Sequence, residues 1–170
     1  MNAARQNMVE RQLIARGLYD PLVIGAMSSV PREAFLPPSL AEFAYADSPL
    51  PIAEGQTISQ PWVVAWMVEA LALRPQDRVL EGGTGSGYAA AVIACVAREV
   101  HTIERHESLA QTAADRLAHL GFHNVHVHCG DGTLGGVGGE NSDDMADFLC
   151  SSVQLRPSIR DRHGGPLATQ

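Results

Sequence analysis

The sequence predicts an α/β fold built around a parallel sheet, and three observations carry that reading. Predicted strands alternate with helices from Arg78 to Cys129, the pattern of βαβ units whose helical crossovers join parallel neighbours. The first of these strands runs into a glycine-rich turn, Gly82-Gly83-Thr84-Gly85-Ser86-Gly87, just before a helix. The next two strands end in Glu104 and in Gly130-Asp131-Gly132, so three successive strand ends carry residues suited to holding a ligand.

Residues 6–16 read as a short helix, with Val9, Leu13 and Arg16 at helical spacing and Gly17 as its stop. Asp20-Pro21 supplies an N-cap followed by proline at the first helical position. The helix it opens carries Leu22, Val23 and Met27 and ends before Pro31. The proline-rich stretch 35–61 shows little periodicity and is expected to be a long ordered loop with one or two short extended pieces. From Pro61 a helix presents Trp62, Ala65, Trp66, Glu69 and Leu73 as one stripe, which core packing explains better than a ligand platform.

The regular alternation follows. Arg78–Gly82 is a strand, Ser86–Arg98 a helix and Val100–Glu104 a strand. His106–Leu120 is a helix with Leu109, Ala113, Leu117 and Leu120 on one face, and Val125–Cys129 is the third strand. Buried parallel strands read as continuous apolar runs, so His126 and His128 place this third strand near a sheet edge. The chain divides into N-terminal helices and loop (1–60), a sheet-forming half (61–134) and a divergent tail (135–170).

Composition narrows the class. With 45% hydrophobic and 18% charged residues the chain is an ordinary globular protein, and no apolar run is long enough to span a bilayer. The polar start of the chain lacks the apolar core of a signal peptide, so a cytoplasmic location is expected. Net charge is −7 and all twelve basic residues are arginine, which argues against a nucleic-acid surface. Cys95, Cys129 and Cys150 form no CxxC pair and are expected to be buried and reduced. No metal site is expected. Six of the seven histidines lie between 101 and 128, but a set made of His126, His128 and Cys129 would need ligands from both faces of one strand.

The glycine turn decides the ligand class. Glycine allows positive φ and lets the backbone approach a ligand without a Cβ in the way, and such turns bind nucleotides across the carboxyl ends of parallel strands. A dinucleotide fingerprint requires G-x-G-x-x-G, but Tyr88 stands where its third glycine belongs. The spacing here is E-x-G-x-G-x-G, from Glu81 through Gly83 and Gly85 to Gly87. An acidic residue beside the turn suits a cationic ligand better than a pyrophosphate, and S-adenosylmethionine carries both an amino group and a sulfonium. Glu104, seventeen residues beyond Gly87, is placed to accept hydrogen bonds from ribose hydroxyls. Asp131 is placed to face the adenine edge. A nicotinamide-dependent oxidoreductase is disfavoured by the same spacing.

Beyond the turn, Tyr45-Ala46-Asp47-Ser48-Pro49-Leu50-Pro51-Ile52 and Gly55-Gln56-Thr57-Ile58-Ser59-Gln60-Pro61 resemble the signature of protein-L-isoaspartate O-methyltransferases. So do Val30-Pro31-Arg32-Glu33-Ala34-Phe35-Leu36-Pro37, Leu80–Tyr88, Thr102-Ile103-Glu104-Arg105 and Gly130–Leu134, so the resemblance covers about residues 6–135. It implies a Rossmann-like class I methyltransferase, a parallel sheet with helices on both faces preceded by a helical N-terminal region. It implies transfer of a methyl group from S-adenosylmethionine to the free α-carboxylate of L-isoaspartyl residues in damaged proteins. The ester then closes to a succinimide that reopens partly as aspartate. The acceptor carboxylate is already nucleophilic, so the site must supply alignment and water exclusion rather than a strong base. The resemblance makes Ser59 the residue that orients the acceptor; an N-cap of the following helix is its plainer role. Gln56, Thr57 and Ile58 would line the junction of cofactor and peptide. Glu81, Gly83, Gly85, Gly87, Glu104, Asp131, Gly132 and Thr133 match the family's cofactor-contacting elements.

Two departures stand out. Gly82 replaces the Ile or Val usual in the family at the buried strand end, a loss of about 2–4 kcal/mol by analogy with large-to-small core changes. After Leu134 the resemblance stops, and the 36 residues that remain are too few for the further strands and helices of such a fold. Asp147-Phe148-Leu149-Cys150 reads as a degenerate fourth strand. The glycine-rich and then polar composition around it is that of a shifted reading frame or a disordered tail. Without a fourth strand the first would be an exposed apolar edge. The expectations are therefore an isoaspartyl repair methyltransferase or, alternatively, a truncated S-adenosylmethionine-binding remnant without catalysis.

Overall fold

The computed structural model describes residues 2–131 and the backbone of Phe148–Cys150. The first helix begins earlier than apolar spacing predicts. Helix α1 (Asn2–Met8) passes into a π-helical turn, Val9–Leu13, and a 3-10 turn, Ile14–Arg16, before Gly17 reverses the backbone at φ 94°. The added turn is polar and largely exposed, so periodicity has no signal there; burial starts at Met8. Helix α2 (Pro21–Ser29) is capped as its sequence requires, Asp20 Oδ1 accepting from the Leu22 N–H at 2.9 Å. It buries Val23, Ala26 and Met27 and leaves Leu22 exposed.

The proline-rich stretch is ordered by long-range polar contacts. Two 3-10 turns, Arg32–Phe35 and Pro38–Phe43, precede an antiparallel hairpin of β1 (Leu50–Pro51) and β2 (Thr57–Ile58). Arg5 in α1 donates to the Tyr45 hydroxyl at 2.8 Å and to the Ser29 carbonyl at 2.8 Å, and Tyr45 in turn donates to Glu33. Arg16 pairs with Asp47 at 2.5 Å and lies 4.3 Å above the Trp62 ring. Arg32 is wholly buried, donating from Nε to the Ala44 carbonyl at 2.7 Å with its guanidinium 4.8 Å above the ring of Tyr88. Helix α3 (Pro61–Ala70) corrects the expected aromatic stripe: it buries Pro61, Val64, Ala65 and Val68 and leaves Trp66 46% exposed. The helix is apolar nearly all round, so composition could not select the buried face.

The sheet comprises β3 (Arg78–Gly82), β4 (Glu99–Glu104), β5 (Val125–Cys129) and β6 (Phe148–Cys150), all parallel, in the order β5-β4-β3-β6. Helix α4 (Tyr88–Ala94) joins β3 to β4, and α5 (Glu107–His119) joins β4 to β5. Helix α4 is shorter than the expected Ser86–Arg98, because Gly87 at φ 87° keeps the turn outside the helix and tight turns follow Ile93. Strand β5 lies at the edge, as its histidines predict. Of the two alternatives left for the tail, a fourth strand is formed: Phe148–Cys150 pairs with Leu80–Gly82, so β3 is not a bare edge. Gly82, opposite Cys150, is buried.

Both crossovers step the same way along the sheet, and right-handed connections then place α4 and α5 on one face. Burial agrees. Val79, Glu81, Val100, Thr102 and Glu104 are buried, while Arg78, Leu80, Glu99 and His101 on the opposite face are half-buried. The helices expected on that second face lie outside the described residues. One apolar core runs from Met8 and Leu13 through Met27, Phe35 and Tyr88 to Val79, Val100 and Leu117. The Phe35 and Tyr88 rings meet edge to face, centroids 5.5 Å apart, fastening the N-terminal segments to the sheet layer. Cys95 and Cys129 are free thiols, but exposed, contrary to expectation: one caps α4 and the other ends the edge strand. Among the described residues no helix is long and apolar enough to cross a membrane.

Candidate functional site

Strand pairing brings the three marked strand ends side by side. The turn after β3 holds Gly83, Gly85 and Gly87 at φ 88°, 53° and 87°, a run of positive values that L side chains resist. Its backbone is tied across to β4, Gly83 N–H donating to the Ile103 carbonyl at 2.8 Å, and it closes on itself from Gly87 N–H to the Thr84 carbonyl at 2.8 Å. The Glu104 carboxylate then accepts from the Gly85 N–H at 2.9 Å and from the His106 N–H at 3.0 Å. So the acidic residue read as a ribose acceptor also holds the tip of the glycine turn. At the third strand end, Gly130 N–H donates to the Glu104 carbonyl at 2.9 Å, and Asp131 follows, exposed. Gly132 and Thr133 lie outside the described residues.

A Cβ tests how closely the turn is packed. At Gly87 it would lie 3.1 Å from Leu117 Cδ1 and 3.5 Å from Ala113 Cβ in α5. Gly87→Ala should therefore lose more than the roughly 1–2 kcal/mol of left-handed backbone strain, read as a lower urea-unfolding midpoint. Gly85→Ala, whose Cβ would meet nothing nearer than Ile52 Cδ1 at 3.6 Å, should lose less. Equal losses at the two positions would contradict this.

Glu81 is placed differently from its expected position beside the ligand at the turn's mouth. It is 1% exposed, beneath the turn, and accepts from Thr102 Oγ1 at 2.6 Å. Thr102 Oγ1 is in turn 2.6 Å from Thr84 Oγ1, so a buried hydrogen-bonded chain runs from turn to strand floor. Burial pushes the Glu81 carboxyl up to about 7, with the Glu104 charge adding to the rise and the Thr102 hydrogen bond opposing it.

The β1–β2 hairpin reaches the same place. Ile52 sits against Gly85, and Ser108 of α5 donates to the Glu54 carboxylate at 2.6 Å. Gln56 is half-buried, Thr57 exposed and Ile58 buried, and Ser59 follows them half-buried. Ser59 is not the helix cap: Gln60 occupies that position without a side-chain bond, and the Ser59 hydroxyl makes no hydrogen bond among the described residues. Thr84, Thr102 and Ile52 were not picked out by spacing, since only the folded chain brings Thr102 to Glu81 and Thr84, and Ile52 to Gly85. The same holds for Glu99, His101 and His126, whose ligand atoms lie within 4.8 Å of one another despite the expectation of no metal-binding group.

A sheet of this order, with a positive-φ glycine turn and carboxylates at consecutive strand ends, defines a Rossmann-like class I methyltransferase fold. A family model described as protein-L-isoaspartate(D-aspartate) O-methyltransferase matches residues 3–138, and the chain belongs to that family. Protein-L-isoaspartate O-methyltransferase 1 of Rhodopseudomonas palustris is 60% identical over 133 residues, covering 78% of this chain and 54% of the relative. Protein-L-isoaspartate O-methyltransferase 2 of Pelobacter propionicus is 56% identical over 131 residues, covering 77% and 58%. The chain thus spans little more than half the length of the curated relatives it matches. A solved protein-L-isoaspartate O-methyltransferase superposes with a TM-score of 0.66 at 33% identity, covering 75% of this chain and 42% of that one. A Plasmodium falciparum candidate for the same activity, crystallised with S-adenosyl-L-homocysteine, gives 0.59 at 25% identity, covering 73% and 62%.

Proposed function

We propose that the chain carries the cofactor half of an S-adenosylmethionine-dependent enzyme that methylates the α-carboxylate of L-isoaspartyl residues in damaged proteins. One observation carries the reading: the Glu104 carboxylate holds Gly85 in a glycine turn that packs against the hairpin leading to Ser59. The residues fit the cofactor. Gly83 is exposed with no side chain to block an approach, and a carboxylate with four acceptor sites has room for ribose hydroxyls beyond its two backbone donors. When bound, S-adenosylmethionine supplies an electrophilic methyl group on a sulfonium.

Glu104 would hold the ribose, Asp131 with Gly132 and Thr133 the adenine side, and Gly83, Gly85 and Gly87 would admit the ligand to the backbone. Glu81 anchors the turn from below through Thr102 and Thr84. The Ser59 hydroxyl is free to hydrogen-bond and orient the acceptor carboxylate. Gln56, Thr57 and Ile58 form the junction between the two. No residue needs to act as a strong base, since the acceptor is already ionised at neutral pH. The reading keeps isoaspartyl peptides and proteins as partners and the cytoplasm as the place of action.

The test compares methyl transfer to an isoaspartyl peptide with transfer to its aspartyl twin. Ser59→Ala should lower turnover at least about 100-fold, roughly 2.7 kcal/mol of transition-state stabilisation, with S-adenosylhomocysteine affinity unchanged by calorimetry. Undiminished turnover would remove Ser59 from its role. A second reading, a binding remnant without catalysis, rests on the family match ending at residue 138 although the sequence continues. Calorimetric binding of S-adenosylhomocysteine without methyl transfer to either peptide would select it, and no binding at high micromolar concentration would sink both readings.

A further inference from the structure

The sheet edge carries a second group of side chains, on the face opposite α4 and α5. Glu99 and His101 are two residues apart in β4 and so share a face, and the pairing of His101 with His126 brings β5 alongside. Glu99 Oε1 lies 3.2 Å from His101 Nε2 and 3.3 Å from His126 Nε2. The other carboxylate oxygen accepts from Arg78 Nε at 2.7 Å. His101 Nδ1 is 3.0 Å from His128 Nε2, with their rings stacked at 5.3 Å.

The hydrogen-bond roles here conflict. Arg78 Nη2, which can only donate, stands 3.5 Å from His101 Nε2 and requires a lone pair there. Glu99 Oε1, which as a carboxylate can only accept, faces the same nitrogen and requires a proton. No neutral tautomer satisfies both. With the proton on Nδ1, donated to His128, the His101 Nε2 lone pair faces the Glu99 oxygen and the region where His126 Nε2 also lies. A cation held by that lone pair and Glu99 Oε1 satisfies both acceptor atoms, while Arg78 keeps its bond to the other Glu99 oxygen. Ligand atoms around a tetrahedral ion with bonds of about 2.1 Å stand roughly 3.4 Å apart, and two of the three separations are 3.2 and 3.3 Å. Exposed His126 can close the third and gives an ion access from solvent.

We propose that Glu99, His101 and His126 bind a divalent transition-metal ion of the zinc class, with His128 orienting His101 from behind. Two imidazoles and a carboxylate suit that class, and a second-shell partner on the distal ring nitrogen is how such histidines are fixed. The ion would clip β4 to the edge strand β5 and leave a coordination position open to water. This site is independent of the methyl-transfer reading.

Zinc titrated calorimetrically into the chelator-treated chain at pH 7.5 should bind one ion with a Kd of about 10 μM or tighter, and zinc should raise the thermal unfolding midpoint. His126→Ala and Glu99→Gln should each weaken binding by about tenfold or more. His119→Ala, on the exposed side of α5, and Cys129→Ser, on the other face of β5, should leave it unchanged. Because His126 is exposed, its loss leaves the core intact. Cobalt in place of zinc should give visible absorption that His126→Ala abolishes. An absence of zinc binding at 100 μM, or binding that survives both His126→Ala and Glu99→Gln, would overturn the proposal and leave these histidines as ion-pair partners of Glu99.

Discussion

Glu104→Ala is expected to weaken S-adenosylhomocysteine binding by at least about 100-fold, equivalent to roughly 2.7 kcal/mol. The carboxylate is 5% exposed and accepts the backbone N–H groups of Gly85 and His106 at 2.9 and 3.0 Å. Removing it strands two donors, each costing about 1–3 kcal/mol where water cannot reach them, and frees a turn whose three glycines sit at positive φ. The proposed ribose contact is lost in the same step. Glu104→Gln should fall between alanine and wild type, since its amide group would face one of the two donors. Calorimetry with S-adenosylhomocysteine measures the binding and urea unfolding measures the structural share. An affinity within threefold of wild type in the alanine variant would refute both roles.

Glu81→Gln should make the unliganded chain more stable above neutrality. In the folded chain burial pushes this carboxyl up to about 7, from an ordinary value of 4.5 in the unfolded chain. The folded state therefore binds the proton more tightly. Its contribution is fully present below pH 4.5 and is lost as pH rises through about 7. A shift of that size corresponds to about 3 kcal/mol. Glutamine cannot ionise, yet its oxygen can still accept from Thr102. The variant should match wild type near pH 5 and exceed it by about 2–3 kcal/mol near pH 8, measured by urea unfolding at both values. Stability curves that stay parallel across this range would show that Glu81 does not titrate as described.

These two residues also show how far the sequence could be read. Glu104 was legible because it ends a strand at a recognisable distance from a glycine turn. Its bond to Gly85 was not, because only the register of β3 against β4 brings the two together. Glu81 was singled out for its charge beside the turn, but strand alternation turned it inward among Thr102 and Thr84. Trp66 misled for a related reason: on a helix with apolar residues all round, neighbouring segments decide which side is covered. The histidines of β4 and β5 looked unrelated along the chain, since ligands two residues apart on one strand are completed by a residue 25 positions away.

The sequence by itself determined the β3–β5 strand order in the chain, the helix stops at Gly17 and before Pro31, the edge position of β5 and the methyltransferase family. Those properties rest on local backbone preference, side-chain periodicity and contiguous motifs, each complete within a short stretch of chain. Tertiary structure alone decided which carboxylate holds the tip of the glycine turn and which lies beneath it, that Phe148–Cys150 pairs with β3, and that Glu99, His101 and His126 converge. Those properties depend on register and face, and register is set by pairing between segments far apart in sequence.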